Sequence, residues 1–269
     1  MKKLLRSIIR YLGFEAVHYS SDPILISFLK TYNELRLKST NSQDWTLNLS
    51  RLSSLCYLRQ TLQNNNIDLL IDVGANRGQF ALEARRLGYK GEIISFEPIS
   101  ANNIFLNRLA SQDNKWKICP YALGSERKEL VLNIYNDDSF SSFYEINEVA
   151  KQSFGSLVNL DRTENVQIYT MDEVATSLGI TKDRRIFLKT DTQGHDSEVI
   201  IGAKQTLNYV IGILTEATIT SLYNSSSTLE DLIGLLLPMG FSHGGMFPIS
   251  YIIDTLKLIE LDCYFTRQI

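Results

Sequence analysis

Apolar residues follow two rhythms along the chain. From Asp22 to about Asn66 they recur at helical spacing, as Ile24, Phe28 and Leu29 and then Leu49, Leu52, Cys56 and Leu62, which predicts two or three helices. Asn64-Asn65-Asn66 ends that region. Ile67-Asp68-Leu69-Leu70-Ile71-Asp72-Val73 is then a short apolar run stopped by Gly74, as expected of a strand buried on both faces of a parallel sheet. Strand-like and helix-like stretches alternate from there. Phe80, Ala84 and Leu87 share one helix face, residues 92–96 read as a strand, helical spacing runs to about Ala110, and residues 116–121 read as a third strand. Residues 129–135 alternate between turn signals and predict an inserted strand or hairpin. Residues 136–155 are polar and rich in Ser and Asn, and read as a loop. Strands are expected again at 166–169, 186–190, 211–214, 243–249 and 258–266, with helices starting at Met171 and covering 197–207 and 229–237. This alternation implies an α/β fold, a mostly parallel sheet with helices on both faces. The expected division is a helical extension, residues 1–65, and one domain, residues 66–269.

The candidate chemistry sits where strands end. Asp72-Val73-Gly74-Ala75-Asn76-Arg77-Gly78 joins a strand to a helix. Gly74 and Gly78 let backbone approach a ligand, and the helix N-terminus offers free N–H groups to a carboxylate. Glu97 ends the next strand and is placed to accept hydrogen bonds from both ribose hydroxyls of a nucleoside. A dinucleotide site usually has a second glycine where Asn76 stands, to admit pyrophosphate. A cofactor with an ammonium group and no phosphate suits Asp72 and Asn76 better, and S-adenosylmethionine is such a cofactor. A nicotinamide-dependent oxidoreductase and a non-catalytic scaffold are the alternatives.

These motifs resemble the FkbM-type methyltransferases, in the class I S-adenosylmethionine-dependent group. The resemblance runs from about Leu70 to Arg267, through the Asp72–Gly78 loop, Ser95-Phe96-Glu97-Pro98 and Tyr121-Ala122-Leu123-Gly124. Its most specific part is Leu188-Lys189-Thr190-Asp191-Thr192-Gln193-Gly194-His195-Asp196, and Glu216 and Asp262 also fit. It implies a Rossmann-like seven-stranded sheet, mostly parallel with one antiparallel strand. By position, Asp72, Gly74, Asn76 and Gly78 would line the methionine end, Glu97 would hold the ribose and Ala122 would lie near the adenine. It further implies O-methylation of a sugar, glycan or natural-product hydroxyl, often in polysaccharide biosynthesis.

A hydroxyl is a poor nucleophile unless its proton has a destination. Asp191 ends a predicted strand and is the leading base or substrate-orienting group. His195 has an ordinary pKa near neutrality, and Glu216 ends the following strand. The three are also chemically able to bind a divalent metal, but no metal is assigned. The polar segment 136–142, with Phe140, Phe143 and Tyr144, is either a cover over the acceptor or a solvated insertion.

Composition narrows the partners. A net charge of −3 disfavours a broad grip on nucleic-acid phosphates, so none is expected. Cys56, Cys119 and Cys263 show no paired spacing, which suggests reduced thiols and the cytoplasm. Residues 1–14 place Lys2, Lys3, Arg6 and Arg10 among apolar residues. That pattern suits either a helix packed on the domain or peripheral contact with a membrane surface.

Overall fold

A computed structural model describes residues 42–252 and 255–267. The segment 1–14 and the helix positions around Ile24, Phe28 and Leu29 lie outside the described residues. No helix among the described residues is long and apolar enough to cross a membrane.

The first element among the described residues is helix α1 (Ser42–Asn64). Its Leu52, Leu55, Leu58 and Leu62 recur at three- and four-residue steps, and all four are buried. Leu55, Leu58 and Leu62 join a core with Leu70, Phe187, Leu214 and Tyr264, so α1 is packed into the body of the domain. The first strand, β1 (Leu69–Val73), is buried at every position. It is followed by α2 (Gln79–Arg86), β2 (Glu92–Phe96), α3 (Ser100–Ala110) and β3 (Trp116–Cys119). After an insertion come α5 (Met171–Ala175), β7 (Ile186–Thr190), α6 (Asp196–Ile201), β8 (Val210–Thr218), α7 (Leu229–Leu236), β9 (Ser242–Ile252) and β10 (Lys257–Thr266).

Seven strands form one sheet in the order β3-β2-β1-β7-β8-β10-β9. Strand β10 runs antiparallel to both β8 and β9, and the other pairings are parallel. The expected α/β sheet with one antiparallel strand is present. Strand order reverses between β1 and β7, and such a switch point opens a crevice at the carboxyl ends of the strands. Alternate residues of β1 serve two cores: Leu69, Ile71 and Val73 on one face, Leu70 on the α1 face.

The insertion holds more structure than its sequence suggests. Strands β4 (Ala122–Leu123), β5 (Lys128–Tyr135) and β6 (Leu160–Tyr169) make a second sheet in the order β4-β6-β5. The expected strand at 166–169 is the last part of β6. Residues 160–165 are polar or exposed, so their pairing with β5 leaves no hydrophobic rhythm. The polar stretch also contains α4 (Glu148–Phe154), whose start is fixed by Asn147 accepting a hydrogen bond from the Ala150 N–H. Helix α6 stops at Gly202, shorter than expected, and a separate 3-10 turn, Thr206–Tyr209, follows.

Candidate active site

The loop after β1 is held by its own main chain. The N–H groups of Gly74 and Ala75 both donate to the Phe96 carbonyl, at 3.0 and 3.1 Å. Gly74 has φ +77°, and a Cβ there would run into the carbonyl oxygen of Asp191. Gly78, with φ +86°, caps the start of α2, and a Cβ would come within 2.8 Å of the Trp116 ring. Both glycines are therefore demanded first by the protein's own packing. Gly78→Ala is expected to cost about 2 kcal/mol, from the left-handed backbone and the overpacked ring. Urea denaturation measures this, and an unchanged midpoint would remove the packing role.

Past the loop lies a cavity of about 490 Å³, within the range of small-molecule sites. Gly74, Asn76, Glu97, Ala122, Asp191 and His195 line it, as does Glu216. Asp72 and Gly78 do not. Side-chain alternation turns Asp72 toward the α1 face, where it is fully buried. Its Oδ1 lies 3.2 Å from Lys189 Nζ, and its Oδ2 accepts from Ser95 Oγ at 3.3 Å. The cation facing Asp72 is thus an internal lysine, which corrects the ammonium contact expected there. Burial raises the Asp72 carboxyl above its usual range, against the opposing pull of Lys189.

One end of the cavity is apolar, with Ile99, Ala122, Leu123, Leu132 and Phe143. Glu97 stands beside it. Its Oε2 accepts from the Asn76 N–H at 2.7 Å and its Oε1 from the Ile99 N–H at 2.8 Å. Burial nonetheless pushes its carboxyl up to about 8. The 3-10 turn Asp138–Phe140 also lines the cavity. Asp138 is tied to the glycine loop, with Oδ2 at 2.9 Å from Arg77 Nη2 and Oδ1 accepting from Asn76 Nδ2 at 3.3 Å. Residues 138–141 of the polar segment are therefore part of the site's wall.

The other end is acidic. Asp191 follows β7 with its side chain 39% exposed, and its Oδ2 lies 3.4 Å from Lys189 Nζ. Lys189 is buried and also donates to the Gly74 carbonyl at 2.9 Å. Burial pushes the Asp191 carboxyl up, but Lys189 and its hydrogen bonds outweigh this and hold it below the usual range. Glu216 on β8 is driven well above that range by burial and by the charge on Asp191. The opposite shifts favour the negative charge on Asp191 and the proton on Glu216. Gln193 Nε2 spans them, 3.0 Å from Asp191 Oδ1 and 2.9 Å from Glu216 Oε2.

Residues 72–242 match the methyltransferase FkbM domain. The chain belongs to the FkbM methyltransferase family. Among curated proteins it is similar to the 2-O-methyltransferase NoeI of Sinorhizobium fredii, at 22% identity over 62% of this chain and 70% of NoeI. Among solved structures it is similar to the methyltransferase FkbM of Methylobacillus flagellatus KT. That match has 12% identity and a TM-score of 0.46, and covers 97% of this chain and 70% of the other. The magnesium protoporphyrin IX methyltransferase of Synechocystis PCC 6803, solved with bound SAM, aligns at 10% identity and a TM-score of 0.43. It covers 94% of this chain and 100% of that one.

Within this FkbM domain His195 stands apart from the acid pair. It is 3% exposed, with Nδ1 3.4 Å from Tyr144 Oη and its ring centroid 4.9 Å from that of Phe143. Its Nε2 has no hydrogen-bond partner, and burial lowers its pKa to about 4, so the ring is neutral. Asp191, His195 and Glu216 do not converge, and no group of three His, Cys, Asp or Glu residues among the described residues is arranged to hold a metal.

Sequence reading passed over Lys189 as a site residue, although a signal was present. A lysine in the buried run Ile186-Phe187-Leu188-Lys189-Thr190, in register with Asp72 on β1, needs a buried counter-charge. Glu260 was missed and Asp262 left without a role. They are two apart on β10, whose register sets Asp262 opposite Glu216, and both line the cavity.

Proposed function

We propose that this protein is an S-adenosylmethionine-dependent O-methyltransferase acting on a hydroxyl of a sugar, glycan or natural product. The observation that carries this reading is one cavity with Glu97 beside an apolar slot at one end and the Asp191–Glu216 pair at the other. The donor set suits the cofactor. Each Glu97 oxygen already accepts one backbone N–H, and its remaining lone pairs are available to ribose hydroxyls. The apolar slot suits an adenine ring. The name of NoeI, a 2-O-methyltransferase, supports oxygen as the methylated atom.

When bound, S-adenosylmethionine supplies a methyl group already activated by its sulfonium. With that group in place, Asp191, kept ionised by Lys189, would receive the proton that the acceptor hydroxyl gives up. Glu216, whose burial favours its protonated form, can orient the acceptor oxygen. The turn Asp138–Phe140, fixed to Arg77, keeps water from the slot.

Calorimetric titration with S-adenosylmethionine tests the reading, and no heat at millimolar cofactor would end it. Glu97→Ala is expected to weaken binding at least about tenfold, the value of hydrogen bonds to a charged group. Affinity also depends on pH. Ribose hydroxyls donate to the ionised carboxylate, so binding favours loss of the Glu97 proton. Affinity should climb from pH 6 and level off above the Glu97 value of about 8, by at most about tenfold per unit. Calorimetry in buffers of different ionisation enthalpy should show proton release at pH 7, and a pH-independent affinity would refute the assignment.

A further inference from the structure

The acidic end of the cavity is short of hydrogen-bond donors. Asp191, Glu216, Glu260 and Asp262 line it from β7, β8 and β10, opposite Arg51 and Ser54 of α1. The nearby cations are already matched. Lys189 is shared by Asp72, Asp191 and the Gly74 carbonyl. Arg51, 71% exposed at the rim, pairs with Glu83 at 3.1 Å. Ser250 Oγ donates to Glu260 Oε2 at 2.8 Å, and Ser54 Oγ to Asp262 Oδ2 at 2.9 Å. Glu260 Oε1 and Asp262 Oδ1 receive no hydrogen bond from the described residues, although Glu260 is only 9% exposed. Neither oxygen is among the fully buried side-chain atoms that lack a partner, so both open onto the cavity, and a wall of acceptors favours a ligand that brings donors.

Resting on the methyltransferase reading above, we propose that the acceptor's reacting unit is an uncharged polyhydroxyl ring. Its hydroxyls donate to Glu260 and Asp262, and a unit bearing a carboxylate or phosphate is rejected. An anion would meet four carboxyl groups and no unmatched cation. A hydroxyl also suits the protons this cluster carries, because it can accept as well as donate. Burial raises Glu216 well above its usual range, Glu260 to about 7 and Asp262 to about 6. The charged and titratable groups acting on these two acids are Asp191, Asp196, Glu216, Lys189, Arg51, Tyr223 and Tyr264. As pH falls from 8 to 5.5, Glu260 and Asp262 take up protons and the bias against anions should relax.

The test pairs neutral methyl hexopyranosides with the matching hexuronosides and 6-phosphates, with S-adenosylhomocysteine formation as the readout. At pH 8 the neutral members should lead in kcat/KM by at least about tenfold, since a like-charge contact costs several kcal/mol. Glu260→Gln and Asp262→Asn should each shrink that ratio about threefold or more, and lowering the pH to 5.5 should shrink it in the unaltered protein without any substitution. Anionic members equal to neutral ones at pH 8, or a ratio unmoved by either change, would overturn the proposal. If no sugar is methylated, saturation-transfer NMR on the protein loaded with S-adenosylhomocysteine reads the same ratio as binding. Neutral preference there upholds the ligand class while the transfer reading fails, and absence of that preference sinks both.

Discussion

Asparagine in place of Asp191 is expected to lower kcat for methyl transfer by roughly 10²–10⁴-fold, the usual worth of a positioned base. Asparagine keeps the shape and can still accept from Gln193 Nε2, so only the charge and the proton site are lost. Affinity for S-adenosylmethionine should change less than about threefold, which separates chemistry from folding. A carboxylate held below the usual range is a weak resting base. It suffices here because the acceptor hydroxyl becomes strongly acidic as its oxygen bonds to the methyl carbon. Glu216→Gln is the comparator. The raised pKa of Glu216 favours its protonated form, so its amide should cost less than the Asp191 change. If Asp191→Asn kept more than a tenth of the activity, the base would have to be sought elsewhere.

Lys189→Met should be the most damaging substitution for stability. It removes the cation beside Asp72, which is fully buried, and beside Asp191. Breaking a buried ion pair by removing one partner costs roughly 3–5 kcal/mol, because an uncompensated charge stays behind. Denaturation should show that loss, and Tm should drop on the order of 10 °C. Asp72→Asn added to Lys189→Met should recover part of it, since the two changes share one interaction. Without Lys189 the folded-state pKa of Asp72 rises further above its unfolded value. The penalty should therefore be full above that raised pKa and shrink as pH falls through it and Asp72 takes a proton. A single variant as stable as the parent would show that the pair contributes little.

The sheet was readable because its parallel strands are buried on both faces and leave apolar runs with glycine stops. Glu97 and Asp191 reach one cavity for the same reason, since strands of a parallel sheet end at one edge. The second sheet was largely hidden. Residues 160–165 pair through main chain while their side chains meet water, so nothing in their order marks a strand. Asp72 was misread because a motif places it next to the glycine loop, whereas strand alternation turns it to the face of Leu70. Glu260 and Asp262 look like the wet face of an edge strand. Only the antiparallel pairing of β10 with β8 brings them beside Glu216. The opposite shifts of Asp191 and Glu216 were invisible for a similar reason, because they depend on Lys189 lying beside Asp191 and on Gln193 spanning both acids.

Helix α1 and strands β9 and β10 bracket the part of the chain that matches the FkbM domain, and this has a bearing on how such proteins diversify. Gly74, Glu97, Asp191 and Glu216 fall inside the matched segment, whereas Arg51 and Ser54 precede it and Ile249, Glu260 and Asp262 follow it. Two of the four acids at the acidic end, Glu260 and Asp262, are thus written outside the stretch that carries Gly74, Glu97, Asp191 and Glu216. An engineer wanting a different recipient would graft new ends onto an untouched centre, and a lineage could drift the same way.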